Sequence, residues 1–171
     1  QEGTFERIDQ RDRLDYVPTY ERLDTIRDME DVLGDLEKVA EEKSYDLSLW
    51  EGRGPSVRTD SFSLLGGYIP ETVDGKIHEA TRVRITIGGN KGEGVAEAVG
   101  YMAHSLVPEI SRQEFEQMYE EAHESTNYFR EISSVRYYNS ESGYRVGFGR
   151  TASPVQTVLS VRKVEKKEGD Q

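Results

Sequence analysis

The sequence predicts an α+β fold: a mixed or antiparallel sheet of about four to six strands, packed by a long N-terminal helix and two central helices. Three observations carry that expectation. Apolar residues recur every three or four positions in three segments and every second position in several others. The two kinds of segment are grouped along the chain rather than strictly alternating. At 171 residues a single core is the default, able to bury about two thirds of the unfolded surface. Residues 1–17 read as a flexible arm, 18–164 as one domain and 165–171 as a disordered tail.

The arm, QEGTFERIDQRDRLDYV, mixes charges with isolated Phe5, Ile8 and Leu14, too few to build a core element. After Pro18, the spacing of Leu23, Ile26, Met29, Leu33, Leu36 and Ala40 predicts a helix over about residues 19–43, with Asp24, Asp28, Asp31, Asp35 and Glu42 largely outside the apolar stripe. Its heptad register is short and contains Gly34, which favours packing on a sheet over a coiled coil. Ser44 to Pro55 breaks the helix, and Gly52, Gly54 and Pro55 mark a turn before a strand at Val57 to Leu65. Gly66, Gly67, Pro70, Asp74 and Gly75 then interrupt a long connection.

Arg82 to Val107 reads as strand, glycine-rich turn and helix. Val83, Ile85 and Ile87 alternate with Arg82, Arg84 and Thr86, and the helix carries a large row, Val95, Val99, Met102 and Leu106, beside a smaller one, Ala96, Gly100, Ala103 and Val107. Gly100 costs about 1 kcal/mol relative to alanine in a helix interior, so it predicts a tight contact with the sheet or with a neighbouring subunit. The next helix, Ser111 to Glu131, opens on a capping box, Ser111 and Glu114, with Ile110 and Phe115 as its hydrophobic staple. Phe115, Met118, Tyr119, Ala122, Thr126 and Phe129 form its buried stripe. Val135 and Tyr137, then Tyr144, Val146 and Phe148, flank a five-residue loop from Asn139 to Gly143 and predict a hairpin. A last strand follows at about 155–163, where Val155, Thr157, Leu159 and Val161 alternate with Gln156, Val158, Ser160 and Arg162.

Net charge is −11, from 33 acidic and 22 basic side chains, which argues against sequence-specific nucleic acid binding and against an anionic membrane surface. Arginine outnumbers lysine 15 to 7, a balance that suits a salt-rich interior, although glutamate doubling aspartate is less typical of one. The chain has no cysteine, which removes thiolate metal sites and cysteine nucleophiles. No apolar run approaches the ~18 residues of a membrane span, so the chain reads as soluble, and its start at Gln1 is compatible with removal of an upstream segment, a signal peptide included.

The glycine-rich turn does not complete the P-loop pattern, because its lysine is misplaced and no hydroxyl follows it, and it does not match the dinucleotide pattern G-x-G-x-x-G either. Asn90 and Glu93 have capping-box spacing, which explains the turn as a helix start; Lys91 and Gly92 remain the candidates for a weak anion site there. Glu120 and His123 have Glu-x-x-His spacing but lack the second copy a di-iron bundle needs. His104 follows Glu97 and Tyr101 on one helix, and no G-x-S-x-G raises a serine nucleophile. We therefore expect no catalytic residues, no metal and no cofactor. Ten tyrosines and one tryptophan point instead to protein contacts, with Trp50, Tyr68, Tyr137, Tyr138 and Gly100 as the interface candidates.

Three segments, TYERLDTIRDMEDVLGDLEKV, TRVRITIGGNKGEGVAEAVGYMAHSL, and FREISSVRYYNSESGYRVGFGR with VQTVLSVRKV, give a pattern that resembles the tail-terminator and tail-completion proteins of tailed viruses, which join a tail tube to the head or neck. The likeness spans about two thirds of the chain by pattern alone. It implies a ring-forming homo-oligomer that contacts other assembly subunits, has no active site and resides in the virion; without it a cytoplasmic location is the default. The helix at Ser111 to Glu131 and the connection from Trp50 to Ala80 depart from a minimal member. The alternative is a cone-shaped fold resembling the nuclear-transport-factor-2-like family, whose small-molecule pocket would draw its acid/base pair from residues such as His104, Asp60 or Tyr137.

Overall fold

The structure, a computed structural model, describes residues 6–8, 25–50, 54–60, 62–68, 75–78, 80–87, 94–124, 134–139, 143–151 and 156–163. The chain is α+β. Its strands are β1 (Glu6–Ile8), β2 (Thr25–Asp28), β3 (Asp46–Trp50), β4 (Gly54–Arg58), β5 (Phe62–Tyr68), β6 (Lys76–His78), β7 (Ala80–Ile87), β8 (Ser134–Asn139), β9 (Tyr144–Thr151) and β10 (Gln156–Lys163). Its helices are α1 (Met29–Lys43), α2 (Val95–Leu106) and α3 (Arg112–Glu124). Eight strands form one sheet in the order β1-β8-β9-β10-β7-β5-β4-β3, and β2 pairs with β6 as a separate ribbon. The main sheet thus exceeds the four to six strands expected.

Every described pairing is antiparallel, and the sheet is built from two meanders. One runs β3-β4-β5-β7, the other β8-β9-β10, and they join where β10 pairs with β7, Leu159 opposite Val83. The helices α2 and α3 occupy the connection between the two meanders. Alternation separates the sheet's faces: Tyr144, Val146, Phe148, Thr157, Leu159 and Val161 are buried, whereas Arg145, Gly147, Val158, Ser160 and Arg162 between them are half-exposed. The buried rows meet the helical side, with the Tyr119 ring of α3 edge-on to Phe148 at 5.8 Å and Tyr45, in the link from α1 to β3, edge-on to Phe62 at 6.3 Å. Each large side chain buried there contributes about 1.5–3 kcal/mol.

The long N-terminal helix is shorter than the apolar spacing suggests. It begins at Met29, where the Asp28 carboxylate caps it by accepting from Glu30 N at 3.0 Å, while Thr25–Asp28 pairs with β6. The β-branched pair Thr25-Ile26 suits a strand, and Ile77 of β6, opposite Arg27, is fully buried. Consequently the buried stripe of α1 is Val32, Leu36 and Ala40, with Met29 and Leu33 only half-buried. The stretch after α1 holds a strand, β3, rather than a turn alone, and the expected strand at 57–65 is two, β4 and β5, joined by a tight bend in which Thr59 N donates to Phe62 O at 2.9 Å. Within the expected N-terminal arm, Glu6–Ile8 pairs with β8.

Later elements follow the sequence closely. The Glu114 N–H donates to Ser111 Oγ at 3.2 Å, and Ile110 and Phe115 are both buried, as the capping box and staple require. Phe115, Met118, Tyr119 and Ala122 form the buried stripe of α3; Thr126 and Phe129 lie outside the described residues. The hairpin loop is residues 140–143, because Asn139 pairs with Tyr144.

Candidate functional site

Among the described residues, a group of interacting polar side chains lies where α1, α2 and α3 meet. Gly100 makes it possible. A Cβ at Gly100 would sit 2.8 Å from Cγ of both Arg112 and Glu116 and 2.9 Å from the Arg112 carbonyl, so its absence lets α3 close onto α2. The expected tight contact is therefore with α3 of the same chain, and Gly100 is buried rather than placed at the sheet or at an intersubunit surface. That approach sets the Arg112 guanidinium 4.7 Å from the centre of the Tyr101 ring, while Lys43, from the end of α1, lies 5.6 Å from the same ring. Lys43 Nζ reaches Glu97 at 3.5 Å, and Arg112 bonds Glu116 one turn along α3.

Two cations and two carboxylates thus surround one phenol. Glu97 and then Tyr101 raise the Lys43 ammonium above its ordinary range. The Tyr45 hydroxyl is pushed up to about 12, by burial first and then by Glu97 and Tyr101, with Arg112 opposing. Burial also raises the Glu116 carboxyl; Arg112 opposes the shift, and Glu97 and Glu120 add to it. The group sets two positive against two negative charges and ties three helices together. Beside it a cleft of about 460 Å³ is lined by Arg112, Gln113, Glu116, Gln117, Glu120 and Glu121. Charged and amide side chains line it, in contrast to the apolar walls that bury small ligands.

A second polar anchor holds the helical layer to the ribbon. Arg27 Nη1 donates to Asp35 Oδ2 at 2.7 Å and to the carbonyl of buried Ser105 at 2.5 Å. The Arg112–Glu116 pair has a readable i,i+4 spacing, but nothing local in the sequence signals Arg27 with Ser105 or Lys43 with Glu97.

The expected sites are scattered. His104 is half-buried on α2, and its Nδ1–H donates to Ile110 O at 2.6 Å, bracing the α2–α3 connection. Glu97 and Tyr101 serve Lys43 and Arg112 instead of poising that histidine. Asp60 is exposed in the β4–β5 bend, whereas Tyr137 is on β8, four strand spacings or about 19 Å from β5, so the two cannot form an acid/base pair. Trp50 is the last residue of β3, Tyr68 ends β5 opposite Thr81, and Tyr137 and Tyr138 pair with Arg7 and Glu6.

The N-cap of α2 is Gly94, at φ 82° and without a side-chain capping bond, so Asn90 does not cap that helix; Lys91 and Gly92 lie outside the described residues. Glu120 is exposed on α3 and His123 lies in its last turn. Among the described residues no three His, Asp or Glu side chains group as a metal site, and no helix is long and apolar enough to cross a membrane. No protein-family model matches the chain, and neither a curated protein nor a solved structure matches it.

Proposed function

We propose that this protein is a non-enzymatic structural subunit that works through contacts with other proteins, as a ring-forming homo-oligomer of the tail-terminating or head–tail joining kind. The observation that carries this reading is the end of the main sheet. Strand β3, Asp-Leu-Ser-Leu-Trp, is terminal in the strand order and pairs with β4 alone among the described residues. Among the described residues nothing pairs with the outer side of this five-residue edge, which carries no lysine or proline, and natural sheets usually blunt an edge left open to another strand. It ends in Trp50, the one tryptophan of the sequence and a residue type favoured at interface centres.

At the opposite end of the same sheet, Tyr137 and Tyr138 stand next to β1. Different surfaces at the two ends suit a heterologous contact, which closes into rings or extends as filaments. The test combines size-exclusion chromatography and light scattering with Trp50 fluorescence. Assembly should appear as a mass above the 19.5 kDa monomer and shift the emission to shorter wavelength as the indole is covered. A monomer mass with unchanged emission at every concentration would end the proposal.

A further inference from the structure

One proline fixes the hydrogen-bonding phase of the main sheet. Pro55 stands opposite Leu49 in the β3–β4 pair. In an antiparallel ladder, opposed residues alternate between pairs that exchange two N–H···O bonds and pairs that exchange none, and proline has no N–H to give. Leu49 and Pro55 are therefore a pair without mutual bonds, and the backbone groups of Leu49, like those of Leu47, point away from β4. Those of Asp46, Ser48 and Trp50 point toward it. Two contacts agree with this phase. The β4–β5 pairing starts at Ser56, since one step further would ask Pro55 for an N–H. Phe62 turns both backbone groups toward the β4 end, its N–H donating to Thr59 Oγ1 and its carbonyl accepting from Thr59 N. Upstream, the Tyr45 N–H already donates to Ala40 O at 3.0 Å. Among the described residues, the outer edge of β3 thus presents the N–H and C=O groups of Leu47 and Leu49, about 7 Å apart.

The same phase carries across the sheet, because its pairings run in continuous register. Leu47, Val57, Leu64, Ile85, Thr157 and Arg150 lie in one row, along which bonded and unbonded oppositions alternate. Followed to the other end, this alternation makes Glu6 and Ile8 the bonded partners of Tyr138 and Arg136, and Arg7, opposite Tyr137, points its backbone groups outward. The rows of Leu47 and of Arg7 are both on the helix side, since Val57 opposite Leu47 and Val146 beyond Tyr137 are buried there. Eight alternating strands also leave β1 and β3 running in opposite directions. A copy set beyond β3 with its helices on the same side therefore meets it antiparallel, outward group to outward group. An odd number of strands would have made that meeting parallel. Pairing β3 with β3 of a second copy would leave the outward groups of Arg7 unused.

Resting on the reading that copies of this chain assemble end to end, we infer that β1 of one copy adds antiparallel to β3 of the next, with Arg7 opposite Leu49, so that one sheet runs through the assembly. Two registers bring outward groups together, and charge separates them. With Arg7 opposite Leu47, the positions of Glu6 and Asp46 are diagonal neighbours about 7–8 Å apart. With Arg7 opposite Leu49 they are four residues apart along the ladder, about 13 Å, which exceeds the screening length of about 10 Å near 0.1 M salt.

Proline is the probe, because it fits an edge strand where the missing N–H faces outward. Sedimentation velocity of the full chain is compared for Leu49→Pro, which blocks the β3 edge, and Arg7→Pro, which blocks the β1 edge. Each alone should raise the self-association Kd by about tenfold or more. An equimolar mixture should form a dimer and stop there, since the one intact β1 edge meets the one intact β3 edge and both remaining ends are blocked. Ser48→Pro, whose N–H faces β4, is the control for phase and should lower the unfolding midpoint well below that of Leu49→Pro. Equal destabilisation by the two would overturn the phase, and Arg7→Pro still reports if Leu49→Pro does not fold. If Arg7→Pro self-associates normally while Leu49→Pro does not, β3 pairs with β3 and the β1 contact is overturned. Assembly indifferent to both prolines would place the contact away from the sheet ends, overturning the inference while leaving self-assembly standing. An unmodified protein that stays monomeric would remove both.

Discussion

Two glycines in the middle of helices should respond in opposite directions to the same substitution. At Gly100 the added methyl would lie 2.8 Å from two γ carbons and 2.9 Å from a backbone oxygen of α3. Carbon contacts relax at about 3.5–4.0 Å, so α3 would have to move outward by roughly an ångström, loosening Phe115 and Met118 against the core. Overpacking of this kind costs about 1–3 kcal/mol, and the gain in helix propensity returns at most about 1. The net expectation for Gly100→Ala is a loss of about 1–2 kcal/mol, or a fall in Tm of about 2–8 °C for a chain of this length. Gly34→Ala meets no obstacle and should gain about 1 kcal/mol, raising Tm by about 2–4 °C. Urea and thermal unfolding followed by circular dichroism measure both. Salt and concentration should hold the protein monomeric, since assembly adds to apparent stability. If Gly100→Ala were as stabilising as Gly34→Ala, the close α2–α3 crossing would be refuted.

Other positions give independent checks. Arg27→Ala should cost about 1–3 kcal/mol by unfolding, because it strands the carbonyl of buried Ser105 and removes the Asp35 ion pair; an unchanged midpoint would mean the anchor is idle. Ser44 holds the left-handed C-cap of α1 at φ 58° and ψ 38°, so Ser44→Gly should stabilise by about 1 kcal/mol, and a loss of stability would contradict the strain assigned there. Tyr45 and Tyr119 are both raised to about 12 from 10, chiefly by burial. Since the unfolded chain gives up those protons first, their contribution is complete below pH 10 and is lost as pH rises from 10 to 12. Unfolding midpoints should fall across that window, less steeply in Tyr119→Phe, and an ultraviolet titration in which all ten tyrosines ionise together would disprove the shift.

The elements most legible in the sequence were those whose signals are local. The start of α3 is written in Ser111, Glu114 and the flanking Ile110 and Phe115, and β9 and β10 follow from strict alternation. The start of α1 was obscured because Leu23, Ile26 and Met29 extend the helical spacing upstream, while the pairing of Thr25–Asp28 with β6 depends on residues some 50 positions away. Gly54 and Pro55 resemble a turn, yet Pro55 is opposite Leu49 inside the β3–β4 pair. A proline fits a ladder only at a position that asks no N–H of it. For Gly100 the sequence announces a close contact without saying with what, since a small residue records space and not the identity of its neighbour. The Lys43–Glu97–Tyr101–Arg112 group was invisible for a related reason: three helices contribute to it, and only their packing brings them together.

The most direct test of the central claim, that this chain acts through contacts with its own copies, is sedimentation velocity of the unmodified protein over a wide concentration range near 0.1 M salt. The account predicts sedimentation coefficients that rise with concentration toward a closed or growing assembly. A single 19.5 kDa monomer throughout would contradict it.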